Sequence, residues 1–214
     1  MSRTRIKICG IRDEKTALIA AEHGADAIGF VFVATSPRHV EPERALEISQ
    51  FLPPFITTVG LTVNARIDEF DEMVEHGGLD YAQLHGAESE PLVRDCGCVA
   101  RVIKAIRFDA DTIEADLIKW SRIDEIEALL IDGSDGGKGE AFDWNRLAEV
   151  ADNAKLPLIL AGGLSPENVA EAIRIVRPWA VDVSSGVESE KGVKDPARIR
   201  AFCQAVRDAD ASLG

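Results

Sequence analysis

The sequence predicts an α/β fold, a single (β/α)8 TIM barrel that spans residues 1–214 as one domain. Three observations predict it. Eight short aliphatic runs alternate with eight amphipathic stretches of helical length, which is typical of parallel strands joined by helical crossovers. No linker, low-complexity segment or charge block divides the chain. Polar, ionisable and glycine residues concentrate where the predicted strands end, which is where such barrels carry their chemistry.

Each predicted strand is a β-branched or aliphatic run bounded by Gly or Asp. In order, the predicted strands are Arg5–Cys9, Ala27–Phe32, Ile56–Val63, Tyr81–Leu84, Val99–Ile106, Ala128–Ile131, Pro157–Leu160 and Ala180–Val183. The predicted helices are Asp13–His23, Pro42–Phe51, Arg66–His76, Glu88–Asp95, Ala110–Trp120, Asp143–Asp152, Pro166–Val176 and Pro196–Asp208. Ser165 and Asp195 each precede a proline, which is typical of a capped helix start. An open doubly wound sheet is the alternative, but eight strands favour the closed barrel, near its lower size limit.

The composition limits the classes of partner. Acidic residues outnumber basic ones by 37 to 24, and the net charge of −13 disfavours nucleic acid and anionic membrane surfaces. No apolar run approaches the roughly 20 residues that span a bilayer, and no secretory signal is visible, so a cytoplasmic location is expected. A phosphorylated substrate would need local donors to hold it against this charge. The acidity is typical of a solvated surface, with adaptation to high salt as the alternative.

The cysteines show no disulfide-framework or CxxC spacing. Cys96, Cys98 and Cys203 fit ordinary packing positions in a reducing compartment. Cys9 differs because it ends the first predicted strand, and period-two alternation places it with Lys7 on the face that points into the barrel. A thiol beside a lysine is in a setting that lowers its pKa, while a small buried core residue is the alternative. Lys7 is expected to pair with a carboxylate on the barrel floor.

A carboxylate, Asp132, follows the apolar run of the sixth predicted strand. It would either cap the next turn or project into the barrel mouth, where it could form an acid–base pair with Cys9. The Gly-rich segment after it, residues 133–139, is consistent with a lid or with a plain flexible loop.

Glycine-rich turns follow the seventh and eighth predicted strands. Backbone N–H groups in such turns form the phosphate site of many barrels of this type, and they hold a dianion without charged side chains. The candidate phosphate-binding residues are Gly162, Gly163, Ser184, Ser185 and Gly186.

Two further strand-end residues have open interpretations. Arg38 is either a surface arginine or a clamp for a substrate carboxylate, a role suited to its planar fork. His85 is either a structural hydrogen-bonding group or a substrate contact. No metal-ligand spacing, nucleotide-binding glycine motif or serine nucleophile motif is present, so neither a metal nor a cofactor is expected.

Taken together, these motifs resemble one family. The motifs are KICG at the first strand, SPR after the second, QLHG at the fourth, LLID at the sixth, and AGGLSPENV and VDVSSGVE after the seventh and eighth. They are similar to the motifs of phosphoribosylanthranilate isomerase of tryptophan biosynthesis. The resemblance runs from about residue 5 to residue 203, with the motifs in order. The chain departs from the family pattern at Arg12, where Thr is usual, at Lys138, where Thr or Ser is common, and at Lys191, before Gly192, where Pro often stands.

The resemblance implies an Amadori rearrangement of N-(5-phosphoribosyl)anthranilate to 1-(carboxyphenylamino)-1-deoxyribulose 5-phosphate, with no cofactor. It implies Asp132 as the general acid, with a raised pKa, and Cys9 as the base, with a lowered pKa. It also implies that Arg38 holds the anthranilate carboxylate, that Asp182 binds a sugar hydroxyl, and that the glycine-rich turns bind phosphate. His85 stays a candidate substrate contact, and the protein is expected to be a monomer or a homodimer.

Two other functions compete with this one. A related isomerase of histidine biosynthesis would be expected to carry Asp in place of Cys9 and to bind phosphates on two opposite sides. A non-catalytic phosphate-binding barrel would not need Cys9 or Asp132.

Overall fold

The computed structural model describes residues 3–133 and 142–213. Within them, eight parallel strands form a closed barrel in sequence order, and the eighth strand pairs with the first. The strands are β1 (Arg5–Cys9), β2 (Ala27–Val31), β3 (Thr57–Thr62), β4 (Tyr81–Leu84), β5 (Val102–Arg107), β6 (Ile126–Asp132), β7 (Leu158–Ala161) and β8 (Ala180–Val183). The predicted barrel is confirmed over the open sheet.

One α-helix follows each strand of the barrel. The helices are α1 (Glu14–Glu22), α2 (Pro42–Ser49), α3 (Ile67–Gly77), α4 (Glu90–Gly97), α5 (Ile113–Trp120), α6 (Trp144–Val150), α7 (Val169–Val176) and α8 (Pro196–Leu213). Their starts follow local side-chain chemistry, since the Asp13 carboxylate accepts the N–H of Thr16 at 2.8 Å and Asp195 accepts that of Ala197 at 2.7 Å. None of the helices in the described ranges is long and apolar enough to cross a membrane.

Several element ends differ from the predicted bounds by a few residues, and two differences are explained by the local sequence. β7 begins at Leu158 because Pro157 has no N–H for the ladder, although its carbonyl accepts the N–H of Leu129 at 3.0 Å. Two further strands, β9 (Glu188–Glu190) and β10 (Val193–Lys194), form an antiparallel hairpin between β8 and α8. This segment is polar and lacks apolar alternation, so its sequence carries no strand signal.

The alternation of strand residues divides the core into two parts. In β6, Leu129 and Ile131 pack outward against the helices, while Ala128 and Leu130 pack inside the barrel. The inner cluster consists of small and medium aliphatic side chains, namely Val59, Ile103, Ala105, Ala128, Leu130, Ile159, Ala161 and Ala180. This packed interior forms a floor beneath the strand ends, where the polar candidates gather.

Candidate active site

A cavity of about 760 Å³ opens where the strands end. Every strand of the barrel contributes to its wall through residues at or just after its C-terminal end: Cys9, Val31, Leu61, His85, Arg107, Asp132, Ala161 and Asp182. Arg38 and four of the five predicted phosphate-binding residues also line it, whereas Gly186 does not. This cavity is therefore the candidate active site.

Cys9 lies at the end of β1 with its side chain turned into the barrel. The residue is 4% exposed, and Lys7, two residues earlier on the same face, donates a 2.9 Å hydrogen bond to Asp182 on β8. Gly29 on β2 has no side chain and so leaves space for the side chains of Cys9 and Lys7. A Cβ there would lie 2.9 Å from Cys9 Sγ and 3.1 Å from Lys7 Nζ. The expected pairing of Lys7 with a carboxylate is thus present, and its partner is Asp182.

The structure reverses the expected direction of the Cys9 pKa. Burial raises the pKa of the Cys9 thiol above its ordinary value, and the positive charges of Lys7 and Lys194 offset only part of that effect. The Asp182 carboxylate beside Lys7 raises it further. The prediction of a lowered pKa was wrong because it counted the neighbouring lysine and neglected the loss of water around the thiol.

We expect this shift to be measurable in the alkylation of Cys9. The rate of its modification by iodoacetamide, followed for the Cys9 peptide by mass spectrometry, should reach half its maximum above the pKa of about 8.5 of an ordinary thiol. In Lys7→Met the midpoint should move higher, because a positive charge beside the thiolate is lost. A Cys9 midpoint below that of the cysteine in an unstructured peptide, measured in parallel, would contradict the structure.

Asp132, at the end of β6, forms a hydrogen bond with a histidine at the end of the β4 strand. Asp132 Oδ2 lies 3.0 Å from His85 Nε2, and the Gln83 amide donates to His85 Nδ1 at 2.7 Å. The two ring nitrogens of His85 are thus both engaged, Nδ1 by Gln83 and Nε2 by the Asp132 carboxyl group. His85 therefore has a structural hydrogen-bonding role, which is to orient Asp132, and it also lines the cavity in which a substrate would bind.

A buried ion pair that the sequence analysis missed holds the loop after His85. Lys104 Nζ in β5 donates to Glu88 Oε2 at 2.7 Å and to the Gly86 carbonyl at 2.8 Å, while Glu88 Oε1 accepts the N–H of Gly86 at 2.8 Å. Both side chains are at most 2% exposed. The signal in the sequence is a lysine inside the apolar strand Val-Ile-Lys-Ala-Ile, the same pattern that singles out Lys7 in β1.

The turns after β7 and β8 line the cavity next to the C-terminal ends of these strands. Gly162 and Gly163 have φ of +83° and +68°, a region that glycine adopts without strain. Within residues 3–133 and 142–213, neither the N–H of Gly163 nor that of Ser185 donates to a protein acceptor. Gly186 lies behind the wall, where a Cβ would be 1.9 Å from the Leu164 carbonyl oxygen. The turns thus present backbone donors to the cavity.

Arg38 reaches the cavity over the backbone next to Cys9. Gly10 has φ +80°, and a Cβ there would lie 2.6 Å from Arg38 Cδ, so glycine is needed for the arginine stem to cross. The guanidinium donates from Nε and Nη2 to the Glu188 carboxylate at 2.7 and 2.8 Å. Burial alone would raise the pKa of Glu188, but hydrogen bonds from Arg38 and Lys194 hold it at about 2. Arg38 is therefore a half-buried cation and not a plain surface arginine.

The segment interpreted as a lid falls at residues 133–139, and of these only Gly133 lies within the described residues. Lys138 lies outside them. Across the described ranges, no group of three or more His, Cys, Asp or Glu side chains could hold a metal ion.

Comparisons with known proteins agree on one family. The sequence model of the N-(5'phosphoribosyl)anthranilate (PRA) isomerase family matches residues 6–205. The N-(5'-phosphoribosyl)anthranilate isomerase of Pseudomonas fluorescens (strain Pf0-1) is 50% identical over 210 residues, 97% of this chain and 100% of that protein. The crystal structure of phosphoribosyl anthranilate isomerase from Thermotoga maritima is 39% identical with a TM-score of 0.88, covering 96% of this chain and 99% of that one.

A further solved structure contains a ligand. It is described as phosphoribosyl anthranilate isomerase in complex with reduced 1-(o-carboxyphenylamino)-1-deoxyribulose 5-phosphate. It is 38% identical to this chain with a TM-score of 0.86, and the match covers 96% of this chain and 99% of that one.

Proposed function

The chain belongs to the N-(5'-phosphoribosyl)anthranilate isomerase family, and from this premise we propose that Cys9 and Asp132 carry the reaction in the cavity at the strand ends. The protein is an enzyme of tryptophan biosynthesis that isomerises N-(5-phosphoribosyl)anthranilate to 1-(2-carboxyphenylamino)-1-deoxyribulose 5-phosphate. The observation that supports the assignment of roles is the presence of a thiol and a carboxyl group on one cavity, on strands β1 and β6 of the same barrel.

Asp132 begins the reaction as the general acid. It protonates the furanose ring oxygen, the C1′–O bond breaks, and the ring opens to a protonated Schiff base between the sugar and the anthranilate nitrogen. Asp132 Oδ2 shares a hydrogen bond with His85 Nε2, and this bond orients the carboxyl group for the transfer. His85 thus acts by orientation and leaves the proton transfer to the carboxyl group.

Cys9 then acts as the general base. Its thiolate removes the proton from C2′, whose acidity the adjacent iminium increases, to give an enolamine. The enolamine becomes the ketone by taking up a proton at C1′ and losing the hydroxyl proton at O2′. A raised pKa makes the thiolate scarcer at neutral pH but a stronger base once formed. Lys7 is the buried cation that favours the thiolate against the cost of burial.

The remaining site residues place the substrate between these two groups. Arg38 holds the anthranilate carboxylate. Asp182 Oδ1 accepts a hydrogen bond from Lys7, and the second carboxylate oxygen of Asp182 accepts one from a sugar hydroxyl. The phosphate is held by the turns after β7 and β8, through Gly162, Gly163, Ser184 and Ser185, whereas Gly186, also predicted for this role, lies behind the wall of the cavity. The chemistry consists of proton transfers and needs neither a metal nor a cofactor.

We place the enzyme in the cytoplasm, as a monomer or a homodimer. A relative from Thermotoga maritima is described as dimeric, and light scattering at several concentrations would decide the state of this chain. The net charge of −13 supports the expectation that it binds neither nucleic acid nor membranes.

The assignment is tested by offering the purified protein two substrates. Anthranilate-adduct fluorescence should be lost on addition of enzyme to N-(5-phosphoribosyl)anthranilate, and the ribonucleotide substrate of the histidine-pathway isomerase should stay unchanged. Turnover of the histidine-pathway substrate alone would favour the competing enzyme, and turnover of neither would favour a non-catalytic phosphate-binding barrel.

A further inference from the structure

The β9–β10 hairpin, residues Glu188–Lys194, packs against the loop that carries Arg38. Gly192 at its turn has φ +83°, and a Cβ there would lie 2.6 Å from the Pro37 carbonyl oxygen. At the base of the hairpin, the N–H of Asp195 donates to the Val187 carbonyl at 2.8 Å. The hairpin is thus closed at its base by this bond and packs against the Arg38 loop at its turn.

The Glu188 carboxylate points from this hairpin into the protein and is 4% exposed. It accepts four hydrogen bonds: Arg38 Nε and Lys194 Nζ donate to Oε1 at 2.7 and 2.8 Å, and Arg38 Nη2 and the Gly192 N–H donate to Oε2 at 2.8 and 3.0 Å. These four bonds occupy the acceptor positions of the carboxylate and hold it in one orientation. Glu188 therefore fixes the orientation of the guanidinium that it binds.

The geometry also decides which edge of Arg38 faces the cavity. Glu188 occupies the Nε–Nη2 edge, so the Nη1–Nη2 edge is the one that can meet a ligand. Within the described parts of the chain, Nη1 has no protein acceptor. A second carboxylate can therefore bind this edge through two parallel hydrogen bonds, the arrangement that suits a guanidinium best.

Lys194 supplies the charge that this arrangement needs. Arg38 and Glu188 together are neutral and would offer an anionic ligand little attraction. Lys194 Nζ, 3% exposed, donates to Glu188 Oε1 and also to Ser184 O and Oγ at 2.9 and 3.3 Å. Burial lowers the pKa of Lys194, and the hydrogen bond and charge of Glu188 oppose that effect. An ammonium group donates to all three of these oxygens, and with it the three side chains carry a net positive charge.

We propose that Glu188 and Lys194 are positioning residues for Arg38, and that they select substrates with a carboxylate on the N-aryl group. Glu188 sets the guanidinium edge, and Lys194 keeps the cluster cationic in a protein of net charge −13. The bonds from Lys194 to Ser184 also fix the carboxylate-binding end of the cavity relative to the turn after β8. This proposal rests on the proposed function, because it assumes that Arg38 meets the substrate carboxylate.

The test compares two ligands by isothermal titration calorimetry. One is reduced 1-(o-carboxyphenylamino)-1-deoxyribulose 5-phosphate, and the other is the same molecule without the carboxyl group. The unaltered enzyme should prefer the first by roughly 10- to 100-fold, the scale of a charge-assisted hydrogen-bonded pair. In Glu188→Gln and in Lys194→Met this preference should fall by about tenfold or more, while affinity for the decarboxylated ligand stays within about twofold.

Matched controls lie in the same hairpin. Glu190→Gln and Lys191→Met change the same residue types at exposed positions and should keep the preference, as should Lys194→Arg, which retains the charge. Because removing one member of a buried ion pair can unfold a protein, thermal unfolding is followed for each variant, and Lys194→Gln replaces Lys194→Met if the latter does not fold.

Three outcomes are distinguishable. Loss of the preference with unchanged affinity for the decarboxylated ligand supports the proposal. A parallel loss of affinity for both ligands would mean that the hairpin only holds the fold, and the proposal would be overturned. If the unaltered enzyme binds neither ligand, the proposed function itself fails, and this proposal fails with it.

Discussion

Cys9→Ala is expected to lower kcat by roughly 10²- to 10⁴-fold, the usual effect of losing a general base. Alanine cannot accept the C2′ proton, and no other ionisable side chain stands at the end of β1. KM should change little, because the role proposed for Cys9 is proton abstraction, and the proposed phosphate and carboxylate contacts are made by other residues. The measurement is steady-state turnover of N-(5-phosphoribosyl)anthranilate, followed by the loss of anthranilate-adduct fluorescence.

Two further variants separate loss of the base from loss of packing. Cys9→Ser keeps nearly the same shape but has a hydroxyl that does not ionise near neutral pH, so it should be as slow as Cys9→Ala. Cys98→Ser changes an exposed cysteine outside the cavity and should keep full activity. A Cys9→Ala enzyme with a kcat within about threefold of the unaltered protein would remove Cys9 from the mechanism.

The barrel and the end at which its cavity lies could be predicted from the sequence because both depend on local patterns. Alternation in β1 places Lys7 and Cys9 on one face, and the carboxyl ends of all parallel strands in a closed barrel meet at one rim. Asp132 could be identified as a candidate from the local sequence alone, because it directly follows an apolar run. Cys9 and Asp132 line one cavity because the chain repeats the same unit eight times.

Interactions between distant residues could not be predicted in the same way. The pairs Lys7–Asp182 and Arg38–Glu188 join residues more than a hundred positions apart, and nothing in the sequence says which carboxylate meets which cation. The predicted direction of the Cys9 pKa shift was wrong for a related reason. It depends on how completely the folded protein excludes water from the thiol, a property of the packed barrel and not of the Lys-Ile-Cys pattern.

Asp132→Asn should also lower kcat by roughly 10²- to 10⁴-fold, because the amide has the shape of the carboxyl group but cannot deliver a proton to the furanose oxygen. The loss should be smaller with a substrate whose ring is already open, since Asp132 acts in the ring-opening step. The readout is the same fluorescence assay, with Asp208→Asn on α8 as a control that makes the same chemical change at an exposed position.

His85 allows a finer test of the same step. His85→Ala removes the hydrogen bond to Asp132 Oδ2 without removing the acid, so its kcat should fall less than that of Asp132→Asn. In the double variant, His85→Ala should add little to the loss from Asp132→Asn, because the histidine acts only through the carboxyl group. Losses that multiply in the double variant would instead give His85 an independent role in catalysis, and Asp132 would no longer be the sole acid.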